Sequence, residues 1–237
     1  MIKAVLFDLD NTLVNFIRFK KICIEAAIDS MIKSGLGISK SRARKIFNEL
    51  FKEINLDDRK IFQKFLRKAI GKVDMKILSS GIVAYRKARI NAYYTYPNVK
   101  FVLSSLRKKD IKTAIVSDAP RLKAWIRLTE IGLQNMFDVV VTFDDTKEIK
   151  PSPKPFLKAL KKLRVKPEES IFIGDNIERD IVGANRLGII SVFAKYGETK
   201  EIPRKLNPKS KNKIEKTPDY VVKNPIEILK ILKELNS

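Results

Sequence analysis

The chain has no histidine among its 237 residues. That absence excludes Ser-His-Asp and Cys-His hydrolases, phosphohistidine chemistry and any His-ligated zinc site. Cysteine is almost as scarce. Cys23 stands alone, so no disulfide framework forms within the chain, which fits a reducing compartment. Asp29, not arginine, stands six residues after Cys23, so the loop of a cysteine-dependent phosphatase is excluded too. Glutamine occurs twice. No apolar run reaches the roughly 18 residues that would predict a membrane span. The opening MIKAVLFDLDN meets Asp8 and Asp10 before the apolar stretch of a signal peptide develops, and the expected location is the cytoplasm. Carboxylates, hydroxyls and lysine are left to carry any chemistry.

What the chain has in excess is charge. Lys and Arg number 49 against 27 Asp and Glu, a formal net charge of +22, and charged residues make up 32% of the sequence. With few glutamines, this composition points to a heat-adapted intracellular protein. Hydrophobic residues still amount to 44%, enough to bury a proper core.

Short apolar runs recur along the chain at 3–7 (KAVLF), 112–116 (KTAIV), 138–143 (DVVVTF), 170–173 (SIFI) and 189–193 (IISVF), with a weaker one at 220–222 (YVV). Helical periodicity fills the intervals at 99–109, 121–131, 153–163, 178–187 and 225–235. Near-continuous apolar strands alternating with helices predict an α/β fold, a doubly wound parallel sheet. The interval 15–95 breaks the rhythm. It carries only helical patterns, predicted at 16–33, 40–54, 59–70 and 75–93, with Ser39 and Asp74 as N-caps and Gly35, Gly37, Asp57, Asp58 and Gly71 between them. The expected organisation is a core of residues 1–14 and 96–237 interrupted by an all-helical domain at 15–95. The polar stretch 196–218, with Pro203, Pro208 and Pro218, reads as a long surface loop.

Open α/β sheets bind ligands at the C-terminal ends of their strands. Four runs end there in reactive or polar residues: Asp8-Leu9-Asp10-Asn11-Thr12, Ser117-Asp118, Lys150-Pro151-Ser152-Pro153, and Gly174-Asp175 through Asp180. Singly, each has a plain reading: a helix cap for the first, a turn and N-cap for Ser117-Asp118, a solvated surface lysine for Lys150 and a turn for Gly174-Asp175. The four in order at successive strand ends do not.

The segments FDLDNTL, IVSDAP, KPSPKPF and IFIGDNIERDIVGAN resemble the four ordered motifs of the haloacid dehalogenase (HAD) superfamily. The resemblance covers the whole chain, and the helical insertion resembles that family's helical cap. It implies a Mg²⁺-dependent phosphatase working through an aspartyl-phosphate. Asp8 becomes the nucleophile, and Asp10 the general acid and base. Asp8, the Asp10 carbonyl and Asp175 become the metal ligands, with Asp180 in support. Ser117, Lys150 and the amide of Asp118 become the groups that hold phosphate. These residue types suit the reaction. An ionised aspartate attacks phosphorus without a base, a second carboxylate serves the leaving alcohol, and a cation meets the phosphate charge. The carboxylate at Asp10 favours ester hydrolysis, because by the same resemblance dehalogenases lack one there.

The implied partner is a small phosphorylated metabolite, with glyceraldehyde 3-phosphate and phosphoglycolate as candidates. Phosphomutase transfer uses the same site, and a nucleic-acid-binding protein keeping the fold is the contrasting alternative. Charge keeps that alternative open. Residues 16–94 hold 19 Lys or Arg against 7 Asp or Glu, a net +12. That surface steers anionic substrates, binds nucleic acid or is simply solvated. Phe47, Phe51, Phe62 and Phe65 are expected in the core of the helical domain, and Tyr93, Tyr94 and Tyr96 near its junction.

Overall fold

All six apolar runs become strands of one parallel sheet: β1 (Ala4–Phe7), β2 (Lys112–Val116), β3 (Val139–Val141), β4 (Ser170–Gly174), β5 (Ile190–Ala194) and β6 (Tyr220–Val222). The computed structural model describes residues 1–53, 58, 60–198 and 214–237. The strand order is β3-β2-β1-β4-β5-β6. The chain leaves β1 in one direction along the sheet and returns past it to β4 on the other side. The C-terminal ends of β1 and β4 therefore flank the point where the winding reverses, the usual ligand crevice of such sheets.

Burial explains why these segments are continuously apolar. All residues of β1 and β4 are buried, whereas the edge strands β3 and β6 are partly exposed. On one face, Ala4, Leu6, Ala114, Val116, Val141 and Phe172 pack against Phe156, Ala159, Leu160 and Leu163 of α8 (Pro153–Leu163). Phe156 and Phe172 meet edge to face at 4.8 Å. The other helices of this unit are α5 (Val99–Lys108), α6 (Arg121–Glu130), α7 (Phe143–Thr146), α9 (Val182–Asn185) and α10 (Glu227–Asn236).

Two local departures from the sequence expectation have clear causes. The third run stops at Val141 because Asp145 Oδ2 accepts from both the Thr142 amide (2.9 Å) and its hydroxyl (2.7 Å), which turns 142–143 into the start of α7. The helix expected at 178–187 is split. A single π-helical turn, Ile177–Ile181, precedes α9, and the Asn176 side chain accepts from the Arg179 amide at 3.1 Å. Such a turn re-aims its side chains, Arg179 and Asp180 among them.

The chain divides into two compact units. One comprises Met1–Asn15, Tyr94–Glu198 and residues 214–237. The other is the helical segment Phe16–Tyr93, with α1 (Phe16–Lys33), α2 (Lys40–Glu53), α3 (Ile61–Ile70) and α4 (Met75–Ala92). Its core is built from Ala27, Ile28, Met31, Leu36, Phe47, Phe65 and Leu66, with Phe47 stacked on Phe65 at 4.1 Å. Asp74 caps α4 by accepting from the Ile77 amide at 3.0 Å, and Ser39 Oγ accepts from the Arg42 amide at 3.2 Å. Tyr93 is buried against Phe19 at 4.6 Å, while Tyr94 is exposed. Several of this unit's cations are paired at its surface: Lys40 with Asp29, Arg44 with Glu25, Lys64 with Asp58 and Lys68 with Glu49. Asp57, Ile54 and Arg59, and most of the expected loop at 196–218, lie outside the described residues. Of that loop, 196–198 and 214–218 are described. Glu215 pairs with Arg186 at 2.9 Å there.

Among the described residues, no helix is long and apolar enough to cross a membrane.

Candidate active site

The ends of β1, β2 and β4 supply the site together with Lys150. That lysine lies not at the end of β3, as the sequence suggests, but in the loop between α7 and α8, because α7 follows that strand. Asp8 follows β1 directly, and its amide donates to the Ile173 carbonyl of β4 (2.9 Å), so the ladder continues one residue past the strand and fixes the backbone of Asp8. The chain then turns sharply. Asn11 takes a left-handed conformation (φ 61°), tolerable for asparagine, and its amide donates to the Val14 carbonyl at 2.7 Å. Asp175 follows β4, beside β1. Oxygens of Asp8, Asp175 and Asp180 lie within 4.8 Å of one another, and all three residues are buried.

Lys150 reaches into this acidic cluster with no exposed surface. Its ammonium donates to Asp8 Oδ1 at 2.6 Å and pairs with Asp180 Oδ1 at 2.7 Å. Its own amide donates to Asp118 Oδ1 at 2.9 Å, and Arg179 Nη1 donates to Asp118 Oδ2 at 2.9 Å. Asp118 thus ties the loop after β2 both to Lys150 and to the turn after β4. The Asn176 amide donates to Asp180 Oδ2 at 3.0 Å. Ser117 is buried at the end of β2. Its amide donates to the Val141 carbonyl (2.9 Å), and its hydroxyl oxygen accepts from the Ala119 amide at 3.2 Å.

The charges are interdependent. Burial pulls the Lys150 ammonium toward losing its proton, but Asp180, Asp8 and Asp118 together outweigh burial and hold its pKa above that of an ordinary lysine. Arg179 is held in the same way. Burial opposes its charge, and Asp180, Asp118, Asp8 and Asp175 more than restore it. Asp180 goes the other way. Burial pushes its carboxyl up, Lys150 opposes this, and the negative charge of Asp8 adds to it.

The site residues named from the sequence therefore separate into two groups. Asp8, Asp118, Lys150, Asp175 and Asp180 form one connected cluster. The Asp10 carboxylate is not one of the three that converge in the buried triad, and its Oδ2 accepts from Arg127 Nη1 at 2.5 Å. Ser117 stands on the neighbouring strand at the same end of the sheet, since Phe7 is in register with Ile115.

Sequence reasoning missed Arg127, Arg179 and the segment after β5. Tyr196, in the short turn Lys195–Gly197, donates its hydroxyl to the Thr12 carbonyl at 2.9 Å and packs edge to face on Tyr96 at 4.8 Å. Burial pushes the Tyr196 phenol up, with Tyr96 and Asp175 adding, so it stays a neutral donor. Gly197 next to it has no room for a side chain. A Cβ there would stand 1.7 Å from the Asn11 carbonyl oxygen and 3.1 Å from Asp175 Cβ. Because the first obstacle is backbone, Gly197→Ala must displace either its own turn or the one at Asn11, next to Asp10. Its expected cost is about 1–3 kcal/mol of stability, together with a loss of activity. Thermal melting and turnover of an aryl phosphate measure both.

The donor set fits a hard divalent cation. Three carboxylates offer only oxygen, the ligand type that Mg²⁺ and its relatives take. The buried triad can hold such a metal.

Residues 5–194 match the haloacid dehalogenase-like hydrolase family. The chain belongs to that family. It is similar to the glyceraldehyde 3-phosphate phosphatase of Methanocaldococcus jannaschii, 31% identical over 235 residues that cover 99% of each chain. Pyrophosphatase PpaX of Bacillus mycoides is 30% identical over 240 residues, 99% of each. Among solved structures, a HAD phosphatase from Thermococcus onnurineus superposes with a TM-score of 0.66 at 28% identity, covering 98% of each chain. This HAD-like hydrolase thus has phosphatases as relatives in both sequence and structure.

Proposed function

We propose that this HAD-family phosphatase is a Mg²⁺-dependent phosphomonoesterase that uses Asp8 as its nucleophile and acts on small phosphorylated metabolites. The observation that carries the reading is Lys150, wholly buried and shared between Asp8 and Asp180 at the reversal point of the sheet. Burying several charges together is costly to a fold. Here the cluster sits at a ligand crevice, with a buried carboxylate triad in which a metal ion could sit and face a phosphate.

In the first half-reaction an Asp8 oxygen forms a bond to phosphorus as the bond to the leaving oxygen breaks, and Asp10 gives that oxygen a proton. In the second, Asp10 takes a proton from water, whose oxygen bonds to phosphorus while the Asp8–phosphorus bond breaks and inorganic phosphate leaves. Lys150 keeps Asp8 oriented and offsets the added negative charge, and the Ser117 hydroxyl and the Asp118 amide donate to phosphate oxygens. A Mg²⁺ ion held by Asp8, Asp175 and the Asp10 carbonyl, with Asp180 alongside, supplies further positive charge against phosphate when bound. The helical unit, residues 15–95 in this reading, acts as the cap that selects the ester.

The name of the M. jannaschii relative supports glyceraldehyde 3-phosphate as the first substrate to try, and phosphoglycolate is the second. A panel of phosphorylated metabolites with Mg²⁺, and again with EDTA, tests the reading. Phosphate release with Mg²⁺, lost in EDTA and restored by excess metal, is the expected result. Formation of a sugar bisphosphate without phosphate release would replace hydrolysis by mutase transfer. Nucleic-acid binding at about 150 mM salt with no phosphatase activity would overturn the reading altogether.

A further inference from the structure

Helix α6 carries an arginine on its inward face and large apolar side chains on its outward one. It exposes Leu122, Trp125 and Ile126 and buries Arg127 beside Ala124 and Leu128. An arginine on the buried face of a helix is unfavourable unless a partner meets it. One partner here is Asp10, two residues beyond Asp8. Arg127 Nη1 donates to Asp10 Oδ2 at 2.5 Å, and the side chains of the two residues are only 6% and 19% exposed.

We infer that Arg127 is a positioning residue for the proton-transfer step, holding the Asp10 carboxyl by one oxygen so that the other faces the leaving group. The inference rests on the reading of Asp10 as general acid and base. A guanidinium has only donors, and a protonated oxygen is the weaker acceptor of a carboxyl, so the oxygen it grips is the less favoured place for the acid proton. Gripping Oδ2 therefore favours Oδ1 as the oxygen that gives a proton to the departing alkoxide and later takes one from water. The constraint suits the chemistry, because a proton donor displaced by an ångström loses much of its value. Arg127 is well placed for it. It sits near the end of a ten-residue helix that begins just after Ser117-Asp118, and its carbonyl accepts from the Ile131 amide, which fixes its backbone.

A purely structural ion pair would show the same distance, so the test reads leaving-group dependence. p-Nitrophenyl phosphate and phenyl phosphate have nearly the same shape, but the phenolate of the second is far more basic and needs the proton more. kcat/KM for each, with Mg²⁺ present, is measured for the parent, R127A, R127K, D10A and the double variant D10A/R127A. R127A is expected to lose about tenfold more on phenyl phosphate than on p-nitrophenyl phosphate, a modest share of what general acid catalysis supplies. R127K, which keeps a donor, should recover part of that difference. In the D10A background, removing Arg127 should change kcat/KM by less than about twofold, because both changes act through one group.

Equal losses on the two esters in both Arg127 variants, or an undiminished loss in the D10A background, would overturn the positioning role. If D10A itself leaves the ratio of the two esters unchanged, the reading of Asp10 fails and the inference falls with it. If D10A shifts the ratio and the Arg127 variants do not, only Arg127 loses its role.

Discussion

Asp8→Asn is expected to lower turnover of p-nitrophenyl phosphate by at least about 10³-fold, as loss of a covalent nucleophile does in other hydrolases. The fold should survive. Asparagine has nearly the shape of aspartate, and its side-chain oxygen still accepts from the Lys150 ammonium, which keeps its second pair with Asp180 at 2.7 Å. The substitution also takes one negative charge out of a crowded group of buried carboxylates. Steady-state rates with Mg²⁺, read beside a thermal melt, separate loss of chemistry from loss of structure. Near-parental rates in a folded Asp8→Asn protein would remove Asp8 from the nucleophile's place.

Lys150→Met should damage both stability and activity. The ammonium is the buried counter-charge for Asp8 and Asp180, and its removal leaves those carboxylates facing each other. Breaking a buried pair by deleting one partner costs about 3–5 kcal/mol. For a chain of this length that corresponds to a fall of roughly 10 °C in melting temperature. The deficit should depend on pH. Burial and Asp8 already push the Asp180 carboxyl up in the folded protein, and Lys150 is the main opposing influence. Without it the folded state binds a proton more readily than the unfolded state. A carboxyl raised on folding contributes stability at low pH and loses it as pH rises through the folded value. The Lys150→Met protein, melted in EDTA, should therefore be relatively more stable near pH 5 than near pH 8. A loss that does not vary with pH would mean that lost packing, not charge, dominates.

These effects depend on residues that the sequence exposes very unequally. The six strands were legible because buried parallel strands need apolar side chains on both faces, as in 4–7 and 171–173. Their order was not, since it depends on which way each crossover turns and not on any composition in the strands. Asp8 and Asp175 could be picked out by their place at strand ends, and Lys150 by the KPSPKPF segment that carries it, although it stands past α7 and not at the end of β3. Arg127 and Arg179 could not be picked out in a chain with 49 Lys and Arg. For Arg127 the one available signal was phase: it occupies an inward helical position with Ala124 and Leu128. For Arg179 the π-helical turn at Ile177–Ile181 displaces side chains from ordinary helical phase, so no periodicity leads to its bond with Asp118. Tyr196 and Gly197 come close to the site only because β5 lies beside β4, a consequence of strand order again.

The central claim is that a phosphoryl group passes through Asp8. Acid quenching of the enzyme during turnover with Mg²⁺, followed by peptide mass analysis, tests it most directly. The account predicts one added phosphoryl group on the peptide that carries Asp8, labile to hydroxylamine, and none in the Asp8→Asn protein. A phosphoryl group on another residue, or an Asp8→Asn protein that forms and turns over the same adduct, would contradict it.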